Sequence, residues 1–163
     1  MRSINCHIII AISALAFFPT VICAEDYMYW DSNFDPIALL SIASQTQTRE
    51  GSATVTLNTS GNAEISANNT PSGPAQLSCA TDTLVTEYKL SFDGDGSSAT
   101  GGTNTSYETY DSFLSTPVAI TYVVSDDTVE VTLYVRASNS NDDVSDSDTY
   151  NATQTLTVTW VGP

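Results

Sequence analysis

The residues best suited to chemistry in this sequence form an acidic, glycine-rich run, Asp-Gly-Asp-Gly-Ser. Asp93, Asp95 and Ser97 place oxygen ligands at alternate positions, which is the spacing that opens many calcium loops. An EF-hand would next need Gly at its sixth position and Glu at its twelfth, but Ser98 and Asn104 stand there. Two interpretations stay open: a calcium site of another geometry, or a solvated turn in which Asp and Gly only bend the chain.

Histidine-dependent catalysis has no basis in this chain. The single histidine, His7, lies in an apolar amino-terminal stretch typical of a leader. Without it, Ser-His-Asp and Cys-His nucleophiles and the usual zinc ligand sets cannot be built. Carboxylates are abundant, but paired-carboxylate hydrolysis needs a carved, aromatic-rich cleft, and no glycine-rich phosphate-binding motif occurs. The sequence therefore predicts a protein without enzymatic activity and with no cofactor beyond the calcium considered above.

Aromatic side chains and one cysteine offer two further candidates for binding. Tyr107, Tyr110 and Tyr134, with Trp30, can stack on sugar rings, but aromatics in alternating strands more often pair with each other or enter the core. No defined set of carbohydrate-binding residues follows. Cys79 is the single cysteine beyond the leader, so no internal disulfide is expected. Its thiol is a small buried hydrophobe, a reactive group or a bridge to another chain.

Residues 1–24 have the features of a secretory signal peptide. Arg2 precedes a run of eleven residues that is apolar apart from one serine, and Ala24 provides a small residue for cleavage. The run is too short for a hydrocarbon core about 30 Å thick, which needs roughly 20 helical residues. A lipid anchor on Cys23 is disfavoured because Ile22 stands where a small residue is needed. We predict a secreted or cell-surface protein whose mature chain has no transmembrane segment.

Acidic residues far outnumber basic ones, with 19 Asp and Glu against 4 Lys and Arg and a net charge of −15. Phosphate backbones and anionic membranes are bound through clusters of Lys and Arg, which this sequence lacks. Nucleic acid is therefore not an expected partner, and neither is an anionic membrane surface.

The elements that must position these residues are β-strands, since apolar residues alternate with Thr-rich positions from residue 52 onward. About six or seven such segments, each apolar on one face, predict an all-β antiparallel sandwich of Ig-like or pilin-like type over residues 51–163. A closed barrel is the alternative. Residues 117–137, with a turn at Asp126 and Asp127, predict a hairpin.

Residues 25–50 differ in pattern from the remainder of the chain. Asp35 and Pro36 suit the N-cap and first position of a helix, which predicts a short helix that begins at Pro36. An extended amino-terminal arm is the alternative.

Two stretches resemble the fimbrial subunits of chaperone–usher systems, including spore-coat-U-like and colonisation-factor-like pilins. Residues 53–58, Ala-Thr-Val-Thr-Leu-Asn, with residues 63–65, resemble their amino-terminal strands. Residues 148–160 are similar to their last strand, which typically opens with Gly-x-Tyr and ends in alternating Thr and Val before an aromatic. Here Asp148 replaces the Gly. Membership would imply an incomplete Ig-like fold that a neighbouring subunit completes by donating a strand.

The resemblance implies a secreted structural or adhesive fimbria-like subunit that associates with itself or with related subunits. The alternative is a monomeric extracellular module that binds carbohydrate or calcium. For a donor strand, the alternation favours Ala53, Val55 and Leu57. The alternative segment, residues 37–43, would turn Leu40 and other apolar side chains toward water.

Overall fold

The computed structural model describes residues 4–10, 26–44, 46–69, 73–139 and 148–163, with residues 4–10 described by their backbone. Most of the predicted leader, including the cleavage junction at Ala24, lies outside the described residues. Among the residues described, none forms a helix with the length and apolar character needed to cross a bilayer.

The described fold consists of strands joined by turns and loops. Its eleven strands are β1 Ile4–Ile10, β2 Met28–Trp30, β3 Ile37–Leu39, β4 Thr48–Thr59, β5 Asn62–Ala67, β6 Val85–Phe92, β7 Gly101–Gly102, β8 Glu108–Thr109, β9 Val118–Thr121, β10 Thr128–Ser138 and β11 Tyr150–Gly162. No helix occurs among these described ranges.

The strands form two separate sheets, so the predicted β-sandwich is confirmed and the barrel alternative is not adopted. One sheet has the order β3-β1-β11-β5-β9-β7, and the other has the order β2-β4-β10-β6-β8. Neighbouring strands are antiparallel except β1 and β11, which run parallel. The apolar faces of the sheets meet in one core, which includes Leu57, Leu90, Val131 and Leu133 from one sheet and Ile65, Ile120, Leu156 and Val158 from the other.

Side-chain alternation explains which face of each strand enters this core. In β10, Val129, Val131, Leu133 and Val135 are all fully buried, as the period of two predicts. Complete burial of one such Val or Leu side chain stabilises the fold by roughly 1.5–3 kcal/mol. The buried face of β10 is therefore a major source of stability.

The predicted hairpin over residues 117–137 is wrong, because β9 and β10 belong to different sheets. The chain leaves the first sheet after Thr121 and turns where the Asp126 amide donates to the Val123 carbonyl, 2.8 Å away. The Val123 amide donates to the hydroxyl of Thr100, 2.8 Å away. Val124, which is in phase with Val118 and Ile120 in the alternation, is 88% exposed at the turn. The connection is thus a crossover between the sheets.

The short helix predicted to begin at Pro36 does not form. Ile37 and Leu39 are buried and Ala38 is exposed, which is the alternation of a strand. This strand, β3, lies at one edge of its sheet. Asp35 and Pro36 precede this strand and cap no helix. The extended alternative is the one observed, and its apolar side chains join the common core.

Candidate functional site

The amino-terminal strand β1 separates two strands that have no other shared neighbour among the described residues. It runs parallel to β11, aligning Ile4 with Tyr150 and Ile10 with Leu156. It also runs antiparallel to β3, aligning Ile4 with Leu39. Adjacent strands lie about 4.8 Å apart, so β3 and β11 are separated by roughly 10 Å. We name this strand-wide space, flanked by residues 37–39 and 150–156, the slot.

The edge of β11 that faces away from the slot is covered by the chain itself. β5 pairs with the carboxyl-terminal half of β11. Along the other half, Asn151 and Ser78 exchange two backbone hydrogen bonds of 2.9 and 3.0 Å, and the Thr153 amide donates to the Pro74 carbonyl at 2.6 Å. Within the described structure, only the edge toward the slot depends on β1.

Polar groups of the inner face of β11 are held in fixed positions. The Tyr150 hydroxyl donates to Asp82 Oδ2 at 3.0 Å. Burial, followed by hydrogen bonds to Cys79 and Asp82, raises the pKa of Tyr150 well above its usual range. Gln154 is fully buried, and its Nε2 donates to Asn69 Oδ1 at 3.0 Å. These contacts fix the inner face beside the slot.

β2 is a short strand at the edge of the opposite sheet. It pairs only with β4 within the described residues, over Met28–Trp30. Met28, Trp30 and Phe34 are buried, and the Trp30 and Phe34 ring centres lie 6.1 Å apart. Trp30 Nε1 is buried without a hydrogen-bond partner in the described part of the chain. Such a group costs about 1–3 kcal/mol in desolvation, so this edge segment is held less firmly than its burial suggests.

The predicted donor residues lie inside the five-stranded sheet. Val55 and Leu57 are buried, Ala53 is half-buried, and all three belong to β4. Val55 aligns with Val131 of β10, and Leu57 aligns with both Val129 of β10 and Trp30 of β2. A strand paired within its own chain on both edges at Leu57 has little free edge to offer a neighbour.

The predicted calcium ligands lie in the loop after β6, beside an open depression of about 450 Å³. Asp93 Oδ1 accepts a hydrogen bond from the Glu130 amide at 2.8 Å. Asp95 Oδ1 accepts from the Ser97 amide and hydroxyl at 2.8 and 2.7 Å, and these bonds lower the pKa of Asp95. In the described ranges, no three His, Cys, Asp or Glu side chains are grouped to hold a metal ion. The chain therefore donates to one oxygen of each carboxylate, from Ser97 within the loop for Asp95 and from Glu130 on β10 for Asp93.

The candidate aromatics separate into different environments. Trp30 is buried in the core, and Tyr110 is partly buried and packs against the core. Tyr107 and Tyr134 instead meet Lys89, which was not singled out from the sequence and whose Nζ lies 4.7 and 4.5 Å from their ring centres. Alternation along β6 placed Lys89 on the outer face, but only the strand register reveals that it lies opposite Tyr134.

Cys79 is half-buried, with its Sγ 3.8 Å from the Thr81 hydroxyl oxygen. Burial acts to raise the pKa of the Cys79 thiol, but hydrogen bonds from Thr81 and its surroundings outweigh burial, and the pKa lies below its ordinary value. The thiol forms no disulfide within the described chain.

Comparison with known proteins adds no relative to this picture. No family model matches the chain. A search of curated proteins likewise finds no match.

Proposed function

We propose that the mature chain is a secreted structural or adhesive subunit of a fimbria-like surface assembly, joined to its neighbour by β-strand addition at the slot. The observation that carries this proposal is that β1, the strand filling the slot, belongs to the segment predicted to be a cleaved leader. Loss of residues 1–24 would leave an Ig-like sandwich that lacks one internal strand. Such a sandwich is completed by a strand from another subunit.

An empty slot is costly for the subunit. Backbone amides and carbonyls of residues 150–156 would lose their partners on one edge, and unpaired backbone groups away from water are unfavourable. Ile37, Leu39 and Leu156, all buried in the described structure, would lose a neighbouring strand. Exposed edges of this kind pair readily with another chain. The same energy that makes the empty subunit unstable would drive assembly.

We assign the donor role to residues 28–34 of a second copy, in place of residues 53–57. This segment has seven residues, the length of β1, and places Met28, Trp30 and Phe34 at alternating positions with Ser32 between them. It lies close to the predicted new amino terminus and is held by one neighbouring strand. Met28, Trp30 and Phe34 would leave the core of their own subunit and become buried again in the slot of the neighbouring subunit.

Light scattering coupled to size-exclusion chromatography tests this function on the chain beginning at Glu25 and on the full-length chain. We expect the shorter chain to form a ladder of oligomers and the full-length chain, with β1 in its own slot, to stay monomeric. A folded, stable monomer of the shorter chain would instead support the alternative, a monomeric ligand-binding module.

The donor assignment has its own variant and matched control. The double variant Trp30→Ser, Phe34→Ser should stop self-assembly, whereas Tyr29→Ser, an exposed position in the same segment, should assemble normally. Mixing the double variant with wild-type chain checks that its slot is intact, because it should then cap oligomers and shorten them. Unchanged assembly of the double variant would refute the donor assignment.

A further inference from the structure

Scarce positive charge is concentrated on the outer face of the five-stranded sheet. Only three basic residues follow the predicted leader, namely Arg49, Lys89 and Arg136. Lys89 on β6 aligns with Tyr134 on β10, two residues before Arg136, so all three share the face opposite the core. Arg49 aligns with buried Ala137 and therefore belongs to the other face. A chain with 19 acidic residues thus gathers two of its cations on one face.

Lys89 holds its charge between two aromatic rings. Its Nζ lies 4.5 Å from the ring centre of Tyr134 and 4.7 Å from that of Tyr107, within the range of cation–π attraction. In the part of the chain that the structure describes, no ion pair involves Lys89. Its ammonium group has three hydrogen-bond donors. The ring faces attract the positive charge but accept no conventional hydrogen bond from these donors. It is therefore suited to an incoming anion.

Two acidic side chains on this face, Glu87 on the same strand as Lys89 and Glu50 on β4, interact with other residues. Arg136 holds Glu87 through Nε and Nη2 at 2.9 and 2.8 Å, and its guanidinium carbon lies 4.1 Å from the Tyr107 ring centre. Glu50 on β4 aligns with Arg136 on β10. Burial, together with the Glu50 carboxylate, raises the pKa of Tyr107 to about 12. The Tyr107 ring thus contacts both cations, the Arg136 guanidinium and the Lys89 ammonium group.

We propose that Lys89 and Tyr134 bind a carboxylated hexopyranose, a uronic acid unit of an acidic polysaccharide. The ammonium group would pair with the sugar carboxylate in a charge-assisted hydrogen bond. The Tyr134 ring would stack on the apolar face of the pyranose, and the Ser91 hydroxyl, 3.5 Å from the Tyr134 hydroxyl, borders the same surface. This binding activity is independent of strand addition, because the outer face and the slot lie on different sheets.

The negative charge of the whole protein does not prevent this contact at physiological salt. The Debye length is about 8 Å at 0.15 M ionic strength, so distant carboxylates are largely screened. The local contact with Lys89 would then decide affinity, and uncharged polysaccharides would gain only the stacking contribution.

The test measures binding of the purified full-length protein to immobilised polygalacturonate, with uncharged dextran as the reference surface. We expect binding to polygalacturonate above dextran, and a loss of about tenfold in affinity for Lys89→Gln and for Tyr134→Leu. Arg49→Gln removes the same charge from the opposite face and should change affinity by about twofold or less.

Three outcomes would overturn the proposal. One is equal binding to polygalacturonate and dextran, and another is an equal loss in Arg49→Gln and Lys89→Gln, which would indicate a non-specific charge effect. The third is a Lys89→Arg variant that binds no better than Lys89→Gln while unfolding at the wild-type temperature, because the retained positive charge should restore part of the affinity.

Discussion

Leu39 and Tyr150 lie in strands that do not pair with each other, yet both align with the same residue of the strand between them, Ile4. Their separation is therefore set by one interposed strand, roughly 10 Å in all. That strand belongs to the predicted leader. Cleavage of the leader would therefore leave a gap one strand wide between β3 and β11 in the mature chain.

Val55→Asp should unfold the protein, because it puts a carboxylate in the core opposite Val131. An unpaired buried charge costs several kcal/mol, a large share of the stability of a domain of this size. Thr54→Asp, at the next and exposed position, is the matched control and should cost about 1 kcal/mol or less. Urea unfolding measures both. A Val55→Asp protein of wild-type stability that fails to assemble would return the donor role to residues 53–57.

Calcium removal should leave thermal stability unchanged, because the backbone amides of Glu130 on β10 and of Ser97 in the loop already donate to Asp93 Oδ1 and Asp95 Oδ1. Asp95→Ala should lower stability slightly, because it removes the side-chain hydrogen bonds of a small exposed turn. Differential scanning calorimetry with chelator and with added calcium tests the first expectation. A calcium-dependent rise in melting temperature that Asp93→Asn abolishes would establish a metal site in this loop.

Stability should fall between about pH 10 and pH 12, in part through Tyr107. Burial and Glu50 raise the pKa of Tyr107 to about 12 in the folded chain, while an unfolded tyrosine ionises near pH 10. The unfolded state therefore loses its proton first, and the contribution present below pH 10 disappears as pH rises through the folded pKa. Tyr107→Phe should flatten this part of the stability curve. The slope would not disappear, because the hydrogen bond to Asp127 also raises the pKa of Tyr27 to about 12. An unchanged slope in Tyr107→Phe would contradict the prediction.

The Cys79 thiol should ionise at a lower pH than a free cysteine, because hydrogen bonds from Thr81 outweigh the opposing effect of burial. The pH dependence of its reaction with iodoacetamide gives the midpoint. Thr81→Ala should move that midpoint upward by removing the hydroxyl 3.8 Å from Sγ. A wild-type midpoint at or above the value for free cysteine would show that burial dominates.

Alternation predicted the faces of individual strands well, because the direction of successive side chains is a local property of the extended backbone. The residues at alternate positions Leu84, Thr86, Tyr88 and Leu90 are all buried, as a period of two predicts. The same local pattern cannot tell which strands pair. The segment around Val55 has the alternation of a donor and of an internal strand alike, and the three-dimensional pairing with β10 distinguishes them.

Long-range placement explains the other differences. Val124 continues the apolar alternation of β9, but hydrogen bonding of the turn to Thr100 carries the chain to the other sheet. Lys89 and Tyr134 are separated by 45 residues, and their contact exists only because β6 and β10 pair in one register. Neither relationship has a signal within a short stretch of sequence.

Amide hydrogen exchange along β11 tests the central claim most directly, in the chain beginning at Glu25 at low concentration and after assembly. Successive amides of a strand point to opposite edges, and those of Asn151 and Thr153 bond to the chain on the far edge. We predict fast exchange at Ala152, Gln154 and Leu156 in the unassembled subunit, protection at Asn151 and Thr153, and protection of all five after assembly. Full protection of Ala152, Gln154 and Leu156 in a monomeric subunit would show a closed sheet with no slot, and would contradict assembly by strand addition.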